Sequence, residues 1–346
     1  MQPAGSTTAQ SDPTTAEGGR PQPDEGGRRG LDSKDGQSPG KPLRLLLLAR
    51  DQSTWVQDAL AKVQSVLATR PEITVVGTAT THDPTPDERE VDFALVLGGD
   101  GAILRAARFF GHRPVPLLGV NLGRLGFLAD LSMDDLEEHL DAIVSRDFQT
   151  ARHLMLTATI RRPNESPQEH LIVNELVITS GPLHSMVDVE LSVDGQLATT
   201  YSGDGLILST PVGSTAHSLS AGGPILRQNL DAVVITPICS HALTVRPVVD
   251  CPNRRYRLVV PDASPGTMIV IDGQVREELG REDVVEVTRA NVSFELIRLA
   301  GHSYYDTLQR KLGWAGQPRY RRLRREALAG NAEEPPDRRE QAGNAD

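Results

Sequence analysis

The tetrapeptide Gly98-Gly99-Asp100-Gly101 closes the apolar run from Val91 to Leu97 and opens a helical pattern that continues to Phe110. A strand-to-helix turn of this kind points the first N–H groups of a helix outward, and open α/β sheets bind phosphate at such junctions. Gly98, Gly99 and Gly101 would let backbone donors approach a phosphate closely. Neither usual fingerprint is complete: no Lys follows in the manner of GxxxxGK[ST], and Leu104 occupies the last glycine position of GxGxxG. The distinctive residue is the acid. As an N-terminal helix cap Asp100 would contribute about 1 kcal/mol. As a chemical group it would accept the proton of an attacking hydroxyl while the flanking N–H groups hold a phosphate beside it. A carboxylate next to phosphate calls for a cation, so this reading expects Mg²⁺.

Four further segments carry residues of the same kind. In "VNELVI", Asn174 and Glu175 are expected mid-strand, where adjacent side chains point to opposite faces unless a bulge turns both one way. In "SGDGLILST", Asp204 reads as a turn residue before a strand. "GSTAHSLSAGG" sets Ser214 and Thr215 near a helix start, as caps or as hydroxyl donors. Arg105 and Arg108 follow the glycine turn on one helical face, with Arg105 near enough to the helix start to reach a phosphate and Arg108 in solvent. Arg124, in "NLGRLGF", belongs to a tight glycine crossover with ligand contact secondary.

The elements that must position these residues fall into two textures. From Leu43 to about Thr150, continuous apolar runs ("LRLLLLAR", "ITVVGTAT", "VDFALVL", "VPLLGV") alternate with helical patterns ("TWVQDALAKVQSVLATR", "SMDDLEEHLDAIVS"). That predicts an open, mostly parallel α/β sheet over residues 42–150. After Arg152 come short alternating segments with turn signals such as Asp194-Gly195 and Asp272-Gly273, the pattern of an antiparallel β-sandwich over 151–300. One helix-like insertion, "STAHSLSAGGPIL", interrupts it. Residues 1–41 and 321–346 are rich in Gly, Pro, Ser, Arg and Glu and read as disordered tails.

Composition narrows the partners. The 346-residue chain is 38% apolar, with 36 Lys plus Arg against 46 Asp plus Glu for a net charge of −10, and no basic stripe is interleaved with aromatics. That argues against nucleic acid, so an anionic ligand must be met by local donors. The longest apolar run, Leu45 to Ala49, is far short of a membrane span, and the N-terminus has no signal-peptide pattern. Two cysteines, Cys239 and Cys251, form no CxxC and no disulfide framework. The expectation is a cytoplasmic protein.

"GGDGAILRAAR", "PLLGVNLGRLGFLADL", "VNELVI", "DGLILSTPVGSTAHSLSAGGPI", "ITPICSHALTVRPVV" and "VIDGQ" occur in the order and spacing of the ATP-NAD kinase family, and the resemblance runs from about residue 43 to 314, including "YYDTLQRKLGW". It implies a two-domain fold with the site in the intervening cleft, residues 301–320 returning to the first domain, and phosphorylation of the adenosine 2′-hydroxyl of NAD⁺ by ATP with Mg²⁺. Asp100 takes the catalytic-base position. Asp100, Gly101, Arg105, Asn174, Glu175, Asp204, Thr215, Ala216, His217, Ser218, Leu219, Ser220 and Gln274 take dinucleotide-contacting positions, with Gly98, Gly99 and Gly101 at the phosphates. Asn174 and Glu175 would bond ribose hydroxyls and base, an ionised carboxylate being able to accept two hydroxyls. The resemblance also implies a homodimer or homotetramer that shares the dinucleotide site between copies. A lipid or other hydroxyl kinase with the same turn, and an NAD-binding sensor without turnover, are the competing readings.

The chain departs from the family pattern at Ala102, Val212, His217 and Ser202. The first two lose a hydroxyl, His217 replaces a Tyr with a titratable ring, and Ser202 replaces a Lys or Arg. These departures leave NAD⁺ against NADH, and ATP against polyphosphate, open.

Overall fold

Long Leu, Val and Ala runs with no polar interruption can be stable only with both faces covered, and the first strands are placed that way. The computed structural model describes residues 41–83, 90–113, 115–123, 126–129, 131–181, 186–301 and 304–314. Arg124 and both tails lie outside them. The first half runs β1 (Leu43–Ala49), α1 (Thr54–Ala68), β2 (Ile73–Thr80), β3 (Phe93–Leu97), α2 (Asp100–Phe110), β4 (Leu117–Val120), α3 (Met133–Glu138) and α4 (Leu140–Val144). Its strands pair in parallel in the order β2-β1-β3-β4. Helix α1 buries Val56, Leu60, Val63 and Leu67, one stripe at helical spacing, against this sheet.

The second half contains β5 (Gln149–Arg161), β6 (Gln168–Ile172), β7 (Glu175–Thr179), β8 (Val187–Val193), β9 (Gln196–Gly203), β10 (Gly205–Ser209), a 3₁₀ turn (Gly213–Thr215) and the short helix α5 (His217–Ser220). It continues with β11 (Val233–Ile238), β12 (Val248–Asp250), β13 (Tyr256–Val259), β14 (Met268–Ile271), β15 (Val275–Glu278), β16 (Val284–Arg298) and α6 (Tyr304–Leu312). Six of these strands form an antiparallel sheet in the order β12-β11-β10-β7-β14-β15. The remaining antiparallel strands face it across one core that includes Leu156, Leu176, Val189, Leu208, Tyr256, Ile269 and Val285. This is the expected sandwich, with alternate residues of both sheets turned inward.

The two halves share hydrogen bonding as well as a chain. β16 pairs antiparallel with β5 from Val284↔Arg161 to Arg298↔Gln149, with an irregularity between Arg289 and Ser293. Near its far end it meets β4 in parallel at Leu296↔Leu117. One ten-stranded sheet therefore passes from parallel to antiparallel at β16. α6 follows β16 and bonds the segment before β11, through Tyr304 Oη donating to the Leu226 carbonyl at 2.8 Å.

The strand expected across Asn174 and Glu175 is broken there. β6 belongs to the large sheet and β7 to the small one, so the chain crosses between sheets at Val173-Asn174. A crossing strand leaves both ladders at once, and its N–H groups need other acceptors. Asp272, in the turn between β14 and β15, supplies them: it accepts from Val173 N (3.0 Å), Asn174 N (2.7 Å) and Glu175 N (3.1 Å). Asp272 adopts φ 50, a left-handed conformation that Asp tolerates better than most residues. Asp272→Ala leaves three buried donors unsatisfied. It should lower the unfolding free energy by about 3 kcal/mol in urea melts, with Asp272→Asn losing less. An unchanged midpoint in Asp272→Ala would remove this clamp from the account.

Candidate active site

The strand β3 ends at Leu97, and the turn into α2 is tight enough that only glycine fits its first position. A Cβ on Gly98 would lie 2.8 Å from Ala102 Cβ and 3.0 Å from Arg50 Cβ. Gly98 N donates to the Val120 carbonyl at 2.9 Å, tying the turn to β4. Asp100 is thereby fixed as the first residue of α2, where the leading N–H groups have no partner inside the helix.

Its side chain is held from the other side. Phe127 N donates to Oδ2 (2.8 Å), and Leu128 N and Ala129 N donate to Oδ1 (3.0 and 3.1 Å). The loop comes so close that a methyl group on Gly126 would overlap Asp100 Oδ1. A carboxylate has about four acceptor positions, so three donors leave about one, on Oδ2. The acid is rigidly aimed and retains room for a single further hydrogen bond.

Ala102, Ile103 and Leu104 of α2 share one buried cluster with Val173 and Val212. That cluster brings the glycine turn together with the Asn174-Glu175 crossover and with the loop after β10. Thr210 locks the latter two: its N donates to the Asn174 carbonyl at 2.8 Å and its Oγ1 to the Val173 carbonyl at 2.6 Å. At Gly213 a Cβ would strike the Asn174 carbonyl, so the 3₁₀ turn packs directly on the crossover.

Glu175 is only 7% exposed, in contrast to the exposed acid expected of a bare strand. Burial, and then the neighbouring Asp272 carboxylate, push its carboxyl from 4.5 up to about 8. The ionised form expected from sequence is thus replaced by a protonated one at neutral pH. Glu175 Oε2 and Asn174 Oδ1 are buried without a partner among the described residues. Unpaired buried polar atoms of this kind are costly unless a ligand meets them.

The remaining sequence candidates divide. His217 and Ser220 are exposed, and Thr215, Ala216 and Leu219 are half-buried around the 3₁₀ turn. Thr215 Oγ1 donates to the Val212 carbonyl at 3.2 Å. Ser218 turns inward instead, its hydroxyl bonded to Thr236 Oγ1 at 2.9 Å in the core. Arg105 Nε donates to Thr81 Oγ1 (3.0 Å), and its guanidinium stays beside the turn, 4.0 Å from where a Cβ on Gly101 would stand. Arg108, expected in solvent, donates to Gln274 Oε1 at 3.2 Å and ties α2 to the turn after β14. Asp204 is exposed at the opposite end of β10 from Ser209, the partner of Glu175. Five residue steps along the strand separate Asp204 from Ser209, roughly 16 Å by the strand rise. Asp204 thus stands at the far end of β10 from the Asn174-Glu175 crossover.

Sequence reasoning missed the backbone donors of Phe127, Leu128 and Ala129, the clamp at Asp272 and the lock at Thr210. Asp272 was visible as a turn residue, and its place as the acid of "VIDGQ" was the only signal. Among the described residues no three His, Cys, Asp or Glu side chains gather as a metal cage.

A parallel sheet ending in a glycine turn with a held acid, faced by an antiparallel sandwich, defines a two-part nucleotide-handling fold. The ATP-NAD kinase N-terminal domain matches residues 49–148 and the ATP-NAD kinase C-terminal domain matches residues 173–299. The chain belongs to the ATP-NAD kinase family. It is 43% identical over 284 residues to the NAD kinase of Rhodopirellula baltica, covering 82% of this chain and 91% of that one. It is likewise 43% identical over 223 residues to the NAD kinase of Geobacter sulfurreducens, covering 64% and 78%. In fold it is similar to yeast NADH kinase complexed with NADH (TM-score 0.72, 22% identity, covering 80% of this chain and 90% of that one). It is also similar to an NAD kinase from Archaeoglobus fulgidus in complex with ATP (TM-score 0.61, 24% identity, covering 74% and 94%).

The state of Glu175 gives a pH signature. Its folded-state proton, held up to about 8 against 4.5 in a free carboxyl, contributes stability that is full at low pH and is lost as pH rises through about 8. Urea midpoints should therefore fall across this window, and Glu175→Gln, which stays neutral, should flatten that part of the slope. Parallel slopes in the two proteins would show that Glu175 is ionised throughout.

Proposed function

We propose that this chain is an NAD kinase that transfers the γ-phosphoryl group of ATP to the 2′-hydroxyl of the adenosine ribose of NAD⁺, giving NADP⁺ and ADP. The observation that carries this reading is the single acceptor position left on Asp100 Oδ2, at a helix start that shares a core with Val173, the residue that leads into Asn174 and Glu175 with their unpaired Oδ1 and Oε2. A ribose hydroxyl can occupy that position. Its proton passes to Asp100 late, as the phosphoryl bond forms, because a carboxylate is a far weaker base than an alkoxide. Asn174 and Glu175 orient the ribose hydroxyls and base, while Thr215, Ala216 and His217 border the adenine side and Gly98, Gly99 and Gly101 offer N–H groups to phosphate. Aim and electrostatics supply most of the rate.

Mg²⁺ held chiefly by the nucleotide phosphates would neutralise charge on the transferred group, which fits a site whose acid has most of its acceptor positions filled by N–H donors. Asp204 serves the dinucleotide of a neighbouring copy, which its distance from Glu175 along β10 supports. The working form is then a homodimer or homotetramer. No helix among the described residues is long and apolar enough to cross a membrane, in keeping with a cytoplasmic enzyme.

Purified protein given NAD⁺, ATP and Mg²⁺ should form NADP⁺. Asp100→Asn should lose about 10²- to 10⁴-fold in kcat while still binding NAD⁺. Full activity in that variant would sink the base assignment, and NAD⁺ binding without any turnover in the unaltered chain would favour a sensor. Gly126→Ala tests aim separately from charge. Its methyl displaces the Asp100 carboxylate, and kcat should fall by about 10² with Asp100 intact. Unaltered kcat there would mean that the loop contact does not set the position of the acid.

A further inference from the structure

A second polar cavity, of about 260 Å³, lies between β5, the segment before β11, the end of β16 and α6. It could hold roughly eight waters at ~30 Å³ each, which is room for a small metabolite. Its walls include His153, Arg227, Gln228, Arg298, Tyr304 and Thr307, and no carboxylate is among the described residues that line it.

His153 lines the cavity. Its ring is 2% exposed and stacks on Phe294 with centroids 4.9 Å apart. Burial, above all, holds it well below the usual range, at about 4, so it is neutral. Nδ1 lies 3.1 Å from the Gln228 carbonyl, which can only accept, so Nδ1 carries the proton. Nε2 is then a bare acceptor, buried and without a partner among the described residues. Two cations line the same cavity. Arg227 sits over the rings of Tyr304 and Tyr305 at 6.0 and 5.6 Å, and Arg298 donates to Gln228 Oε1 at 3.1 Å. An anion alone would suit the arginines and leave His153 Nε2 unmet; a hydroxyl on the same molecule would meet it.

We propose that this cavity binds a small hydroxylated phosphate ester, with its phosphate against Arg227 and Arg298 and one hydroxyl donating to His153 Nε2. The cavity is wired to the glycine turn. Gln228 Nε2 and Arg298 both donate to the Phe127 carbonyl (3.2 and 3.5 Å), and the Phe127 N–H is one of the three that hold Asp100. A ligand that draws Arg298 toward its phosphate loosens one hold on that peptide. Occupancy therefore changes kcat. This coupling rests on the kinase reading, whereas the binding does not.

Calorimetry on the full chain with NAD⁺ and ADP present, so that the nucleotide cleft is filled, separates the two. Glycerol 3-phosphate should bind, inorganic phosphate should bind about tenfold more weakly, and glycerol should give no heat. Arg227→Gln, an exposed change with little risk to folding, should weaken both anions about tenfold. His153→Phe keeps the stack on Phe294 and should erase the advantage of the ester over phosphate. No heat from glycerol 3-phosphate, or equal binding in Arg227→Gln, overturns the site. Should His153→Phe fail to fold, the Arg227→Gln result decides. A change in kcat with glycerol 3-phosphate that disappears in Arg227→Gln supports the coupling, and binding with kcat unmoved overturns the coupling alone.

Discussion

Backbone N–H groups that leave a sheet or helix inside a protein must find acceptors, and this fold meets that constraint twice with one device. Asp100 collects the N–H groups of Phe127, Leu128 and Ala129, and Asp272 collects those of Val173, Asn174 and Glu175. Each acid gathers three consecutive donors where the chain can pair with no strand. Each thereby turns an irregular segment into a rigid one. The first fixes the loop that faces the glycine turn, and the second fixes the crossover that presents Asn174 and Glu175. Both kinds of site residue depend on these two clamps.

The clamps also explain why the halves need a shared sheet. The acid at 100 sits on the parallel half and the crossover on the antiparallel half, so their relative placement must be held to within a fraction of a hydrogen bond. β16 does this by pairing with β5 along its length and with β4 near its end. Arg108 adds a second tie by reaching from α2 to Gln274. A hinge of ordinary loop between the halves would let Asp100 and the Asn174-Glu175 pair drift apart, at a large cost in rate.

Much of this was legible in the sequence because it is written in side-chain types. Apolar runs and helical stripes gave the parallel half, and alternation with Asp-Gly turns gave the sandwich. The turn at Gly98 to Gly101 announced an acid among phosphate donors, and six motifs in order carried the family resemblance. What stayed hidden depends on backbone groups or on direction. The donors at Phe127 to Ala129 are main-chain atoms whose availability follows from loop shape. Asp272 looked like any turn residue, since nothing local says that its carboxylate points to a strand a hundred positions earlier in the chain. Ser218 has the right chemistry at a family contact position, but its side chain goes to Thr236. A type and a spacing do not reveal which way a rotamer turns.

The pairing of Asp272 with Glu175 has a consequence for the ligand. Burial raises both carboxyls, yet Asp272 has three N–H donors opposing that effect and Glu175 has none. The charge therefore settles on Asp272 and the proton on Glu175. A neutral Glu175 can donate as well as accept, so it can meet a ribose hydroxyl or a ring nitrogen without setting a second negative charge beside a dinucleotide that already carries phosphates. Had the N–H groups gone to Glu175 instead, Glu175 would be ionised and Asp272 protonated, and the crossover would present a negative charge in place of a neutral carboxyl. The clamp on the crossover thus decides the charge of the binding site as well as its shape.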